Sequence, residues 1–211
     1  MRSLIAIAAA LLSCSCMAHG KTLENNTFVA SETRTVYVSG AVTGAALGTA
    51  QQIYNLAEAG NEPIDIIINS PGGYIIPGLQ VISAMNIAQS RGITIRCFVP
   101  LLAASMGFQM LAECDERYAL RYSLLLWHPA KTGFRGSVTW KQLLYATREL
   151  RAMERDLLDI LLSKLKISKK KFYYHYRNET LWQAHHLQKI SPDFITIVDD
   201  FKNVRNPFDI R

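Results

Sequence analysis

A run of almost continuous isoleucine at residues 64–68 (IDIII) constrains the fold of this chain more than any other feature. In a parallel sheet that is covered on both faces, strands are apolar at successive positions rather than alternating with polar residues. A Pro-Gly-Gly turn at 71–73 ends the run, and Ile75, Leu79 and Ile82 follow at helical spacing. The run therefore predicts a strand–turn–helix unit of an α/β domain.

Strands and helices alternate along most of the chain. β-branched and aromatic runs predict further strands at 35–38, 93–99, 118–123, 124–127 and 194–198. Between them we predict a helix that Thr43 caps, with Leu47 on its inner face, and a helix over 104–111. This alternation predicts one α/β domain of repeated β-α units over residues 31–201, followed by a C-terminal tail at 202–211.

The second half of the chain begins with a long amphipathic helix that starts at Ser137-Val138-Thr139. Its apolar residues recur at helical spacing, and ionic residues fill the opposite face. Such a helix packs either on a partner subunit or on its own core. Further along, the TLWQ sequence at 180–183 matches a capping box, which predicts that a short helix begins at Thr180.

The first residues have the pattern of a secretory leader. Arg2 forms a positive n-region, and residues 4–12 form an apolar run that is too short to span a membrane. The small residues allow cleavage after Ala18, which gives a signal peptide at 1–18, whereas LLSC at 11–14 matches a bacterial lipobox in which Cys14 is acylated. We expect an exported protein, periplasmic or anchored to a membrane through Cys14; a buried N-terminal helix of a cytosolic protein is the alternative.

Charge and cysteine content limit the classes of partner. The net charge is +6, and much of it lies in the lysines of 164–171, which we interpret as a solvated helix end. No nucleic-acid-binding motif accompanies them, so no nucleic-acid partner is expected. Cys97 and Cys114 lie beyond the leader. They either form a disulfide in an oxidising compartment or remain two buried thiols.

The AASMG sequence at 103–107 suits an exposed nucleophile at a strand-to-helix junction. A serine hydroxyl needs a base within hydrogen-bond reach and preformed donors for the oxyanion. Ser105 lies where one predicted strand has ended, near the N–H groups and the positive dipole end of the next helix. The N–H of Met106 is one candidate oxyanion donor, and the turn at Gly72-Gly73 can supply the second.

His128 is the candidate base. It follows the apolar run at 124–127, and Pro129 ends the predicted strand. A lone histidine there is more often structural, but its coincidence with Ser105 and the glycine turn favours catalysis, with a carboxylate on its second nitrogen. Three further histidines, His175, His185 and His186, are not spaced as metal ligands, so neither a metal nor another cofactor is expected.

These motifs resemble the proteolytic subunit of the Clp protease family. NSPGG at 69–73, AASMG at 103–107 and His128-Pro129 occur in that family's order and at nearly its spacing, and the resemblance runs from about residue 35 to about residue 200. It implies a serine endopeptidase of the ClpP/crotonase α/β fold, built from repeated β-β-α and β-α units with a protruding handle helix. It also implies Ser105 as nucleophile, His128 as base and the N–H groups of Gly73 and Met106 as the oxyanion hole.

The same resemblance implies a homo-oligomer of stacked rings that acts on peptides or unfolded proteins. The predicted helix at 139–166 matches the handle element that joins the rings. The family normally works with an ATP-driven unfoldase in the cytoplasm, and ATP is not expected outside the inner membrane. An exported relative is therefore expected to act without ATP.

The site departs from the family pattern at two positions. The family has a glutamine between its catalytic histidine and the proline, whereas here Pro129 follows His128 directly. The family's triad aspartate falls on Glu179, which is one methylene longer. The alternatives are that Asn178 orients the imidazole or that the triad has no strong acid.

Two other functions stay open. Signal-peptide-peptidase relatives share this fold and use a Ser-Lys dyad, for which Lys131 is the candidate base. The altered acid position also allows a non-catalytic ring subunit that holds or assembles other proteins.

Overall fold

The computed structural model describes residues 23–134 and 136–205. The predicted leader, with both of its processing sites at Cys14 and Ala18, lies outside the described residues, as does the end of the predicted tail. Within the described ranges, no helix combines the length and the apolar character that a membrane crossing needs.

Strands and helices follow one another through the described chain. The strands are β1 (Leu23–Glu24), β2 (Thr27–Val29), β3 (Thr35–Ser39), β4 (Ile64–Asn69), β5 (Ile95–Val99), β6 (Leu102–Ala104), β7 (Glu116–Leu120), β8 (Leu124–Leu126), β9 (Trp182–Gln183), β10 (Thr196–Val198) and β11 (Asp200–Lys202). The helices are α1 (Ala46–Ala59), α2 (Ile75–Ser90), α3 (Met106–Glu113), α4 (Trp140–Leu165), α5 (Lys169–Arg177) and α6 (Ala184–Ile190).

A parallel sheet of five strands, in the order β10-β7-β5-β4-β3, forms the centre of the molecule. The isoleucine run forms β4, and its side chains alternate between two cores. Ile64, Ile66 and Ile68 face the core that includes α1 and α2, and Ile67 faces a second core on the other side. The predicted α/β fold with a doubly covered parallel strand is therefore confirmed.

A small sheet, in the order β1-β2-β11, supplies the second core. Phe28 of β2 is fully buried and stacks on Phe98 of β5 with the ring centroids 4.9 Å apart. The folded region thus begins ahead of residue 31, where the sequence analysis starts the domain. The predicted last strand, 194–198, is shorter than expected, and β11 follows it without having been predicted.

The long helix is confirmed as α4, and Thr139 forms a capping box with Gln142 at its N-terminus. Leu161 and Leu165, in its last turns, are buried against the core. Trp140 and Leu144, in its first turns, are 70% and 56% exposed. The sequence left open whether this helix packs on a partner subunit or on its own core. In the described chain, only the C-terminal part of the helix packs on the core.

Three predictions of helix starts are wrong. Thr180 does not begin a helix, because Trp182 and Gln183 pair with β8 and α6 begins only at Ala184. The helix predicted over 104–111 begins at Met106, since the preceding residues form β6. Thr43 lies outside the first turn of α1, whose N-cap is Ala45 with no side-chain cap, and Leu47 is exposed.

Cys97 of β5 and Cys114 at the end of α3 form a disulfide with their Cα atoms 6.0 Å apart. This separation is typical of disulfides. The two cysteines therefore form a disulfide rather than remaining two buried thiols, and this disulfide links the central sheet covalently to α3.

Candidate active site

Ser105 lies at a sharp turn between a strand and a helix. It is the single residue between the end of β6 at Ala104 and the start of α3 at Met106. Its backbone has φ 54° and ψ −118°, a conformation that residues with a Cβ avoid and that costs about 1–3 kcal/mol. Its N–H donates to the carbonyl of Leu126 at 2.8 Å, and its carbonyl accepts from Gln109 at 3.0 Å. Such a strained strand–turn–helix elbow is typical of a nucleophilic serine.

The Pro-Gly-Gly turn packs directly against this elbow. A Cβ on Gly72, whose φ is +88°, would lie 2.6 Å from the carbonyl oxygen of Ala104 and 2.8 Å from the nitrogen of Met106. The buried hydroxyl of Ser70 accepts from the Gly72 N–H at 3.1 Å and donates to the Gly40 carbonyl at 2.6 Å. Only glycine allows the turn to approach the elbow so closely.

The predicted oxyanion donors are the N–H groups of Gly73 and Met106, and neither is hydrogen-bonded within a strand or helix of the described chain. Val42 donates to the Gly72 carbonyl and accepts from the Tyr74 N–H, both at 2.9 Å. Because Val42 thus binds the residues on either side of Gly73, the Gly73 N–H points to the opposite side. Met106 is the first residue of α3, so no carbonyl within that helix accepts its N–H. Gly73 and Met106 line the same cleft as Ser105.

Strand register brings His128 to that cleft as well. In the parallel pair β6–β8, Ala104 lies opposite Leu126, so Ser105 and His128 follow at the same edge. Both line a cleft of about 330 Å³ whose walls are largely apolar, including Trp127 and Leu157. The two side chains are not hydrogen-bonded to each other in the described chain. Catalytic hydrogen bonds often close only when substrate binds.

The imidazole of His128 is oriented by the backbone. Its Nδ1 lies 2.7 Å from the carbonyl oxygen of Pro129. Because a carbonyl can only accept, this hydrogen bond places the proton on Nδ1 and leaves Nε2 as the nitrogen that can accept one. This is the tautomer that a general base for Ser105 requires.

The structure does not bring Glu179 to His128. Its carboxylate binds the ammonium group of Lys131 at 3.1 Å, and its backbone has a positive φ of 45°. The Asn178 amide instead donates to the Tyr174 carbonyl at 2.7 Å. Lys131 lines the cleft, so Glu179 lies beside the site without contacting the imidazole. Its role as triad acid stays a prediction.

Comparison with known proteins agrees with this geometry. A family model described as Clp protease matches residues 20–189, which is most of the chain. The chain belongs to the Clp protease family. It is also 34% identical over 119 residues to the ATP-dependent Clp protease proteolytic subunit 1 of Salinibacter ruber (strain DSM 13855 / M31). That alignment covers 56% of this chain and 49% of the relative, so it spans about half of the relative's length.

Family membership confirms the resemblance, but one residue of this chain's cleft was not predicted from the sequence. Glu154 of α4 lines the cleft, and its Oε1 accepts from the Ala130 N–H at 2.7 Å and from the Tyr176 hydroxyl. Burial first, and then the hydrogen bond to Glu154, raise the pKa of Tyr176, so this hydroxyl remains a donor at neutral pH. In the sequence Glu154 is one of several ionic residues on an amphipathic helix, which gives no signal that it turns inward.

Two of the further histidines, His175 and His185, have hydrogen-bond partners away from the cleft. His175 Nδ1 lies 3.2 Å from the Thr180 hydroxyl, and His185 Nδ1 lies 2.9 Å from the Arg121 carbonyl. Burial and the nearby Lys171 lower the pKa of His175. Across the described ranges, no three His, Cys, Asp or Glu side chains are grouped so that they could hold a metal ion.

Proposed function

We propose that this chain is a serine peptidase that cleaves peptides or unfolded proteins, with Ser105 as nucleophile and His128 as base. The observation that carries the proposal is the strained elbow at Ser105, which shares one cleft with His128 and with the glycine turn. Strain of this kind persists only where the surrounding structure enforces it, and it is concentrated at functional sites.

The geometry supports acyl transfer in two steps. The Ser105 hydroxyl attacks the peptide carbonyl while His128 Nε2 takes its proton. The negative charge on the former carbonyl oxygen is stabilised by the N–H groups of Gly73 and Met106, and losing one such donor typically lowers turnover about 100- to 1000-fold. His128 then protonates the leaving amine, and water hydrolyses the acyl-enzyme by the same route in reverse.

Glu179 is the proposed triad acid. In this proposal its carboxylate turns from Lys131 toward His128 when substrate occupies the cleft, and joins the Pro129 carbonyl as a second acceptor of the Nδ1 proton. The proximity of the Glu179–Lys131 pair to the cleft supports this movement. An exposed ion pair contributes at most about 1 kcal/mol, so breaking it is inexpensive.

The finer context of the activity is also a proposal. The leader-like sequence at 1–18 supports export, either as a periplasmic protein or with a lipid anchor at Cys14. The disulfide between Cys97 and Cys114 supports an oxidising compartment. In such a compartment the peptidase acts without ATP. The exposed first turns of α4 suit contact with further copies in a homo-oligomeric ring.

Two alternatives remain as second candidates. A Ser-Lys dyad needs a neutral lysine, which is promoted by an apolar surrounding, whereas Lys131 is 66% exposed and paired with a carboxylate. The geometry therefore disfavours that dyad. A non-catalytic ring subunit is favoured by one observation, the pairing of Glu179 with Lys131 rather than with His128.

Labelling with a fluorophosphonate probe tests the proposed function. We expect one covalent adduct on the leaderless oligomer by intact mass and none on Ser105→Ala or His128→Ala. Glu179→Gln is expected to label more than about tenfold slower, since loss of the triad acid can lower turnover by up to about 10⁴-fold. Lys131→Ala is the control for the dyad and should label at least as fast as wild type.

A folded wild-type oligomer that gives no adduct would contradict the peptidase proposal and favour the scaffold. An adduct that persists in Ser105→Ala would exclude Ser105 as the nucleophile. Loss of labelling in Lys131→Ala, together with normal labelling in His128→Ala, would favour the dyad of Ser105 and Lys131.

A further inference from the structure

The segment after His128, residues 129–138, makes few hydrogen bonds to the rest of the protein. Among its described residues, the Ala130 N–H donates to Glu154 and the Lys131 ammonium group donates to Glu179. The second joins exposed side chains, and Lys131 is 66% exposed. The half-buried Glu154 is therefore the stronger anchor of this segment.

The contact with Glu154 is made by the one peptide unit that also holds the imidazole. Ala130 N–H and Pro129 C=O belong to the same planar peptide group. Its N–H donates to Glu154 Oε1 at 2.7 Å, and its carbonyl oxygen lies 2.7 Å from His128 Nδ1. Proline has no N–H, so Ala130 supplies the first backbone donor after His128. A chain of two hydrogen bonds thus leads from the imidazole through one peptide group to a carboxylate.

Packing keeps the carboxylate end of this chain in place. The Tyr176 hydroxyl donates to the same Glu154 oxygen, and its ring stacks on Phe172 with centroids 6.2 Å apart. Phe172 in turn stacks on Trp127 at 5.9 Å, and Trp127 directly precedes His128. Buried stacked rings hold their positions well. The rings therefore join α4 and α5 to the end of β8, next to the segment that follows His128.

We propose that Glu154 is a positioning residue that acts on His128 through the Pro129–Ala130 peptide group. Its negative charge polarises that peptide, so the Pro129 carbonyl becomes a stronger acceptor for the Nδ1 proton. Without contacting the imidazole, the carboxylate thereby orients it and stabilises the positive charge that develops there as His128 takes the Ser105 proton. The inference deepens the proposed function and rests on it, because it assigns a role around the same base.

The test compares Glu154→Gln and Glu154→Ala with wild type, and Asp156→Asn is the matched control on the exposed side of α4. The readout is the rate of fluorophosphonate labelling of Ser105, alongside thermal unfolding. The variants leave in place the ion pair of Lys131 with Glu179 and the neutral Tyr176 hydroxyl at the cleft.

Glu154→Ala should label on the order of 100-fold more slowly, because misplacement of a catalytic group by about 1 Å has effects of that size. Glu154→Gln keeps an acceptor for both donors, so its rate should recover most of this loss. Without the negative charge, however, the positive charge that develops on His128 as it takes the Ser105 proton is less stabilised, so Glu154→Gln should still label several-fold more slowly than wild type. Asp156→Asn should match wild type.

An unchanged labelling rate in Glu154→Gln would overturn the inference. So would the same loss of rate in Asp156→Asn, since it would then come from net charge alone. If Glu154→Ala does not fold, the labelling rate of Glu154→Gln decides, because the amide is isosteric with the carboxylate. Absence of wild-type labelling would refute the proposed function itself, whereas labelled wild type with an unaffected Glu154→Gln would refute this inference alone.

Discussion

Backbone strain at Ser105 is the residue-scale feature most closely tied to function. With φ 54° and ψ −118°, the residue occupies a region that glycine tolerates and serine does not. The conformation is enforced from both sides. The Ser105 N–H is bound to Leu126, and the glycine turn fills the space next to its Cβ.

This strain predicts that Ser105→Gly is more stable than Ser105→Ala, although both are inactive. Relief of about 1–3 kcal/mol of strain exceeds the roughly 0.5–1 kcal/mol by which glycine favours the unfolded chain. We expect a free energy of unfolding about 1 kcal/mol higher for Ser105→Gly, measured by urea denaturation. The same pair of substitutions at Ser83, exposed within α2, should rank in the opposite order. Equal stability of the two Ser105 variants would limit the strain to the roughly 0.5–1 kcal/mol that glycine costs, and would contradict the larger strain argued here.

The shared position of the proposed nucleophile and base at one cleft was predictable at this scale, because each residue carries a local signal. Ser105 has small neighbours and Met-Gly after it, and His128 ends an apolar run. The environment of His128 was not predictable in the same way. Whether Glu179 meets an imidazole or a lysine, and whether Glu154 turns inward, depends on side-chain packing between elements that are distant in sequence.

At the scale of elements, α3 connects the site to the core. All eight of its residues are buried, including the polar Gln109 and Glu113. Glu113 Oε1 is buried without a hydrogen-bond partner in the described chain. Burial raises the pKa of Glu113 by more than Lys164 and Gln109 lower it.

A raised pKa in the folded state predicts that Glu113→Gln is stabilising at neutral pH. Below about pH 3 the carboxyl is largely neutral in both folded and unfolded chains, so it causes no penalty there. As the pH rises through its ordinary pKa and then its raised folded pKa, the folded state loses stability relative to the unfolded state. The Tm gain of Glu113→Gln should therefore be largest at neutral pH and vanish in acid. Exposed Glu149→Gln is the control and should show no such dependence; a gain that is independent of pH would contradict the argument.

The elements themselves divide into predictable and unpredictable ones for physical reasons. β4 has a continuous apolar run and α4 has a helical periodicity, each long enough to override local ambiguity, and both were predicted correctly in type. β9 and β11 are two and three residues long and exist only because neighbouring strands bind them. At Thr180, a sequence compatible with a capping box instead leads into β9, because Trp182 pairs opposite Leu125.

At the scale of the whole molecule, α4 divides into a buried and an exposed part. Its last turns complete the cleft, while Trp140, Leu143 and Leu144 near its start remain at least 49% exposed in the single chain. The same helix carries Glu154 between these parts. Contacts between other copies and the exposed part of α4 would therefore act on the helix whose Glu154 anchors the segment after His128.

The proposed export and the disulfide lead to one prediction for the whole chain. Thiols stay reduced in the cytoplasm and pair in the periplasm, so the state of Cys97 and Cys114 reports where the domain folds. Expressed in a bacterium with its own leader, the chain should be resistant to alkylation at both cysteines until it is reduced. A variant without residues 1–18 should take up two alkyl groups by intact mass under denaturing, non-reducing conditions. Cys14→Ser separates the two forms of export, because it releases a lipid-anchored protein from the membrane fraction and leaves a protein cleaved after Ala18 unchanged. Free thiols in the full-length chain would contradict export, since a domain that folds outside the cytoplasm has no means of keeping this pair reduced.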